Sequence, residues 1–198
     1  MKNLFFVFIF LFSITISAQC NADSVLAFQK QINAEYADPK ESPLKEEDLK
    51  VFKELNFYPS NLNFCTEAKF VRTSNEKPFV MPTTGKKTPS YVKFGVVHFS
   101  INGKECKLNI YQNIELAKTE KYKNYLFLPF TDLTSGMESY GGGRYIDLEI
   151  PKGEVITIDF NKAYNPYCAY NEKYSCPIPP KENDLDVAIL AGVKKFHD

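Results

Sequence analysis

Asn102-Gly103 stands between two long alternating runs, residues 91–101 and 104–111. Both central residues of a two-residue hairpin turn need positive φ, which Asn and Gly tolerate best. The pair therefore predicts a tight antiparallel hairpin. The turn also sets a register: Ile101 opposite Lys104, Phe99 opposite Cys106, Val97 opposite Leu108. One face then collects Val97, Phe99, Cys106, Leu108 and Ile110, an expected core. His98 falls on the other face, opposite Lys107, where a lone strand histidine is expected to be structural.

The same grammar continues on both sides. Phe64, Thr66, Ala68 and Phe70 alternate with Cys65, Glu67 and Lys69, and residues 125–130 read as an apolar strand. Residues 145–150 and 154–160 read as two more strands joined by Pro151-Lys152-Gly153, and residues 187–191 as a last one. Ahead of the strands, Val25, Phe28, Ile32 and Tyr36 recur at helical spacing, with Asp23 or Ser24 as the cap and Asp38-Pro39 as the stop. A second helix is expected from Ser42-Pro43 to just before Tyr58-Pro59, with Glu46, Glu47 and Asp48 near its positive end. The expected fold is mainly β, of α+β type: two N-terminal helices followed by an antiparallel β-barrel or sandwich-like body.

The first residues carry a different signal. Lys2 precedes an apolar run, residues 4–16, that ends in Ser17-Ala18. A basic start, a short apolar core and small residues at the exit mark a secretory signal peptide. The run is shorter than the roughly 20 residues a spanning helix needs. Residues 1–19 are read as the signal and 20–198 as a single β-rich domain, placed in the periplasm or outside the cell. Of 24 basic and 24 acidic residues only Lys2 falls in the signal, so 24 − 1 = 23 basic residues face 24 acidic ones in the mature chain. That near-neutral balance, with no basic stripe, excludes a nucleic-acid partner. A membrane partner is expected only if Cys20, at the exit of the signal, carries a lipid.

Five cysteines, an odd number, leave at least one unpaired unless Cys20 is lipidated. Cys168 and Cys176, eight apart in a proline-rich loop, are the expected local disulfide, and Cys65 and Cys106 are expected to behave as small apolar strand residues.

Residues 139–150, SYGGGRYIDLEI, hold three successive glycines. A phosphate-binding glycine loop follows a strand and opens a helix. Here the glycines precede a strand, so Gly141, Gly142 and Gly143 are read as a turn that lets another backbone or a ligand approach closely. Arg144 is either an anion-reading fork or the partner of a nearby acid. If residues 145–150 and 154–160 form a hairpin, Ile146, Leu148, Ile156 and Ile158 share the buried face. Asp147 then lies opposite Thr157 and diagonal to Asp159, roughly 7–8 Å away by backbone. After them, residues 159–180 form a loop dense in Asn, Tyr and Pro. It is too aromatic to be disordered and long enough to be functional.

The segments LFLPFTDLTSGMESYGGGRYIDLE and ITIDFNKAYNPYCAYNEKYSCPIPPKENDLDVAILAGVK resemble those of an uncharacterised prokaryotic family, domain-of-unknown-function family 1684. The resemblance covers most of the mature chain and is strongest over residues 126–194. It implies a shared fold and no established activity. Because many relatives lack a signal peptide, it also implies that Cys168–Cys176 is not an obligate disulfide.

Three functions are therefore expected in order. The first is an exported protein that binds a small polar or anionic ligand. Its pocket would be built by Tyr140, Gly141, Gly142, Gly143, Arg144, Tyr145, Asp147 and Asp159 with Asn161, Tyr164, Asn165, Tyr170 and Asn171 from the loop. The second is a hydrolase or metal-assisted enzyme using Asp147 and Asp159. The third is a structural envelope protein. No metal site is assigned, since C-x₇-C is not a zinc signature, and the cofactor is left open.

Overall fold

The computed structural model describes residues 20–197; the expected signal peptide, residues 1–19, lies outside them. Helix α1 (Ala22–Ala37) begins at Asn21, whose side chain accepts from the Ser24 amide at 2.7 Å. Helix α2 is shorter than expected, Glu46–Val51. The chain leaves the helix because its later polar groups find other partners. The Leu55 amide donates to Asn33 Oδ1 of α1, and the Tyr58 amide donates to the Gly192 carbonyl.

The strands are β1 (Cys65–Arg72), β2 (Phe79–Val80), β3 (Ser90–Ile101), β4 (Lys104–Asn113), β5 (Tyr125–Asp132), β6 (Arg144–Glu149), β7 (Val155–Asp159) and β8 (Asp184–Leu185). They form one curled sheet, a half-barrel, in the order β6-β5-β4-β3-β1-β7. Strand β2 pairs with β3, and β8 joins β5 in parallel. The β3–β4 hairpin has the predicted register, with Phe99 on Cys106 and Val97 on Leu108. Asn102 and Gly103 both take positive φ, 51° and 78°. His98 is exposed.

The second expected hairpin does not form. Strand β6 pairs with β5, placing Leu148 on Leu126 and Asp147 on Phe127. Strand β7 pairs with β1, placing Ile158 on Thr66 and Asp159 on Cys65. Residues 150–154 carry the chain from one edge of the curled sheet to the other, so consecutive strands end at opposite edges. Alternation sets the faces of both strands, but the partners are β5 and β1 rather than each other. Ile146, Ile156 and Ile158 are buried with Leu126, Leu128, Leu108 and Phe99 in the main core.

Residues 187–191 make no strand. They wrap over a buried ion pair. Arg144, with no exposed surface, places Nη2 2.7 Å from Asp132 Oδ2, and both side chains are 0% exposed. Nη2 also donates to the Ile189 carbonyl at 2.9 Å, and Nη1 donates to the Ala191 carbonyl. Asp132 Oδ1 accepts from the amides of Thr134 and Ile189 and from the Thr134 hydroxyl. Gly143, at φ +86°, turns the chain into β6; a Cβ there would lie 2.6 Å from the Phe130 carbonyl oxygen.

The disulfide joins Cys20 to Cys65, 45 residues apart, and clamps the start of α1 to the start of β1. Cys65 is thus a bridging residue rather than an apolar filler. Cys106, Cys168 and Cys176 are free thiols, so the expected Cys168–Cys176 bond is absent.

Two outcomes follow for stability. Arg144→Met leaves Asp132 buried without its counter-charge and is expected to cost about 3–5 kcal/mol. Denaturant titration reads the loss; a cost below about 1 kcal/mol overturns the assignment. Cys20→Ser opens a long loop in the unfolded chain and is expected to cost about 4 kcal/mol by loop entropy, read in the same titration.

Candidate functional site

The sheet has two usable faces. Even-numbered residues of β5 and β6, such as Leu126, Leu128 and Ile146, enter the main core. Odd-numbered ones, Tyr125, Phe127, Tyr145 and Asp147, line a cavity of about 660 Å3 on the other side. Tyr91 of β3 continues that floor. Helix α1 covers one side with Phe28, Ile32, Glu35 and Tyr36, and the loop 164–177 covers another with Tyr164, Tyr167, Tyr174 and Cys176.

The loop is held there by backbone bonds. Tyr145 and Tyr164 exchange both amide–carbonyl hydrogen bonds, at 2.9 and 3.0 Å. The Tyr145 hydroxyl donates to the Pro177 carbonyl, while Thr84 and Cys176 bond each other through the Thr84 amide at 2.9 Å and the Thr84 hydroxyl at 3.1 Å. Aromatic edges pack the wall: Phe127 on Tyr145 at 4.7 Å, Tyr145 on Tyr164 at 5.9 Å, Tyr167 on Tyr174 at 5.2 Å between ring centres.

Asp147 is the chemical centre of this cavity. Its Oδ1 accepts two phenol hydrogens, from Tyr164 at 2.7 Å and from Tyr125 at 2.8 Å. Among the described residues none donates to Oδ2; both bonds fall on Oδ1. The side chain is reached by water and yet walled by protein, as expected on the floor of a concavity. Burial pushes its carboxyl above the usual range, against the two phenol bonds, which pull it down. The same burial and the nearby Asp147 charge push the Tyr125 and Tyr164 phenols up, so both remain protonated donors near neutral pH.

Of the residues expected to bind a ligand, Tyr145, Asp147 and Tyr164 line the cavity. The others lie elsewhere and have structural partners. Arg144 is sealed against Asp132. Gly141, Gly142 and Gly143 turn the chain, with the Tyr140 ring lying over Gly142. Asp159 Oδ1 accepts from the amide and side chain of Asn161, and Asn161 in turn bonds Asn61. Asn165 donates to the Lys194 carbonyl, and Asn171 orders its own turn through the Lys173 amide. Tyr170 is buried against Tyr36 and Phe196. The polar ends of Tyr36, Tyr170 and Asn165 are buried near one another but outside good hydrogen-bond geometry. Asp147 and Asp159 sit on strands at opposite edges of the sheet, so the expected carboxylate pair does not exist. Among the described residues, no three His, Cys, Asp or Glu side chains cluster as metal ligands do.

The residues missed were Tyr91, Tyr125, Phe127 and the cavity side of α1. The alternation Tyr125-Leu126-Phe127-Leu128 carried the signal for two of them. That alternation is masked because tyrosine and phenylalanine also suit a core, so the strand reads as apolar throughout.

The fold and cavity define a curled antiparallel β domain that encloses a tyrosine-lined pocket beneath a helix and a long loop. The family model described as "Protein of unknown function (DUF1684)" matches residues 50–194, and the chain belongs to that family. The solution NMR structure of an uncharacterised protein from Haloarcula marismortui is similar, with 30% identity and a TM-score of 0.68 over 87% of this chain and 92% of that one. No curated protein matches.

The raised carboxyl of Asp147 sets a pH signature. A group whose folded pKa is raised stabilises the fold below its unfolded value and loses that contribution as pH rises through the folded one. Asp147→Asn is free of that loss. Its melting temperature relative to the native protein is therefore expected to climb between about pH 4 and pH 7. A constant difference across thermal melts at both pH values sinks the assignment.

Proposed function

We propose that the chain is an exported binding protein for a small organic cation, a protonated amine attached to a flat apolar body. One observation carries the reading: the carboxyl on the cavity floor is Asp147, whose Oδ2 has no donor among the described residues and whose surroundings are aromatic faces. An ammonium group suits both, as an ion pair to the carboxylate and as a cation over tyrosine rings. Glu35 on the wall adds to the acidic side, while Lys87 and Lys173 balance it overall. Lys173 is turned towards the Tyr174 ring, 4.9 Å from its centre. The anion first expected from the sequence relied on Arg144, which is buried and paired.

Export is supported by the pattern of residues 1–19 and fits the disulfide at Cys20, since oxidising compartments are where such bonds persist. A sulfur bonded to Cys65 is not free to carry a lipid. No helix among the described residues is long and apolar enough to cross a membrane.

Titration by NMR with 2-phenylethylamine, 2-phenylethanol and phenylacetate tests the reading. The amine is expected to bind and the carboxylate not to. Asp147→Asn is expected to weaken the amine about tenfold or more, the scale of a charge-assisted hydrogen bond. Equal binding of amine and carboxylate, or an amine affinity untouched by Asp147→Asn, overturns it.

A further inference from the structure

Cys168 and Cys176 flank a compact turn and meet at the cavity wall. The Cys168 amide donates to Cys176 Sγ at 3.2 Å. Cys176 is buried and lines the cavity, whereas Cys168 is half-exposed outside it. The Tyr140 hydroxyl lies 3.8 Å from Cys168 Sγ, and the Thr84 hydroxyl accepts from the Cys176 amide. The turn between the cysteines is tied by the Tyr174 amide to the Asn171 carbonyl at 3.2 Å. Two free thiols are thus held together by a short, hydrogen-bonded loop, one on a half-exposed residue and one on a buried residue that lines the cavity.

We propose that Cys168 and Cys176 are a thiol–disulfide exchange pair, in which Cys168 reacts first with low-molecular-weight disulfides and Cys176 resolves the product. The site is independent of the amine reading, because it needs no ligand in the cavity.

The chemistry balances with the disulfide as oxidant. The Cys168 thiolate attacks one sulfur of R–S–S–R. A bond forms to Cys168 Sγ, the R–S–S–R bond breaks, and RS⁻ leaves with the electron pair and takes up a proton. Cys176 then gives up its proton and attacks Cys168 Sγ. The protein disulfide forms and a second RSH is released. Two protein thiols are oxidised and one external disulfide is reduced to two thiols.

The two sulfurs are electrostatically unequal in the way this order needs. The Cys176 thiol beside it is the largest cause holding the Cys168 thiol down, to about 6, with help from Thr84 and Tyr140 and against burial. The same contact, with burial, pushes Cys176 up. The thiolate is the attacking species, so Cys168 leads and Cys176 follows. Cys106 has no thiol partner, and burial raises it. It is an internal control in the same chain.

The test uses the full mature chain in glutathione buffers of graded oxidised-to-reduced ratio, trapped by alkylation and mapped by peptide mass. Cys168–Cys176 is expected to close at the oxidised end, with a loss of about 2 Da, and to reopen at the reduced end while Cys20–Cys65 stays closed. In Cys176→Ser the reaction is expected to stall as a glutathione adduct on Cys168. At the reduced end of the unmutated chain, substoichiometric iodoacetamide is expected to label Cys168 at least about tenfold faster than Cys106; this readout needs no variant to fold. Thiols that stay free throughout the range overturn the proposal. So does a pair that never reopens, an adduct or first label on Cys106, or equal labelling of the two.

Discussion

The ion pair between Arg144 and Asp132 ties the β5–β6 corner to a C-terminal segment that nothing local would bring to it. Arg144 opens β6, Asp132 closes β5, and the carbonyls of Ile189 and Ala191 belong to the C-terminal segment. A guanidinium taken wholly out of water is costly unless its charge and donors are met; here Asp132 and two carbonyls of an irregular segment meet the Nη1 and Nη2 groups, while Nε is buried without a hydrogen-bond partner among the described residues. That is why residues 187–191 need no ladder of their own. The segment leaving the ion pair then reaches back to the N-terminal region, where the Gly192 carbonyl takes the Tyr58 amide and the Asn56 carbonyl takes the Lys194 amide. The polar loop 131–143 and its glycines are the turn that brings Asp132 and Arg144 face to face.

The curl of the sheet explains the cavity. With β6 and β7 at its two edges, one face closes over the Leu, Ile and Phe core. The opposite face of β3, β5 and β6 is left for other cover. Tyrosines suit that face because each buries a ring and keeps a hydroxyl for water or a partner. Helix α1 and the loop 164–177 roof it without filling it. The loop is anchored at both ends, by the Tyr145–Tyr164 bridge and by the Thr84–Cys176 bonds. The thiol pair lies at the second anchor. The Asp147 carboxyl and the Cys176 thiol therefore border the same cavity, with Cys168 just outside it.

Local chemistry was legible and long-range pairing was not. The β3–β4 register followed from Asn102-Gly103, because a two-residue turn dictates its own pairing. The inward set Ile146, Ile156 and Ile158 followed from alternation alone, and the opposite-facing Asp147 with it. The partner of β6 did not follow, since five intervening residues suit a hairpin and an edge-to-edge crossing equally well. The carboxylate pair failed for that reason. Arg144 was left open between a ligand and a nearby acid, and the acid prevailed because Asp132, twelve residues earlier, lies on the adjacent strand.

The sequence alone determined which residues face together, where the tight turn lies, that helices precede strands, and that residues 1–19 differ in kind from the rest. These depend on periodicity and backbone sterics within a few residues. Tertiary structure alone decided that Cys65 meets Cys20 rather than acting as filler, that the thiols of Cys168 and Cys176 lie side by side, and that Asp147 takes hydrogen bonds from two tyrosines instead of facing Asp159 across a hairpin. Each of those outcomes depends on which distant segments the curl of the sheet brings within a few ångströms, and no local pattern encodes that distance.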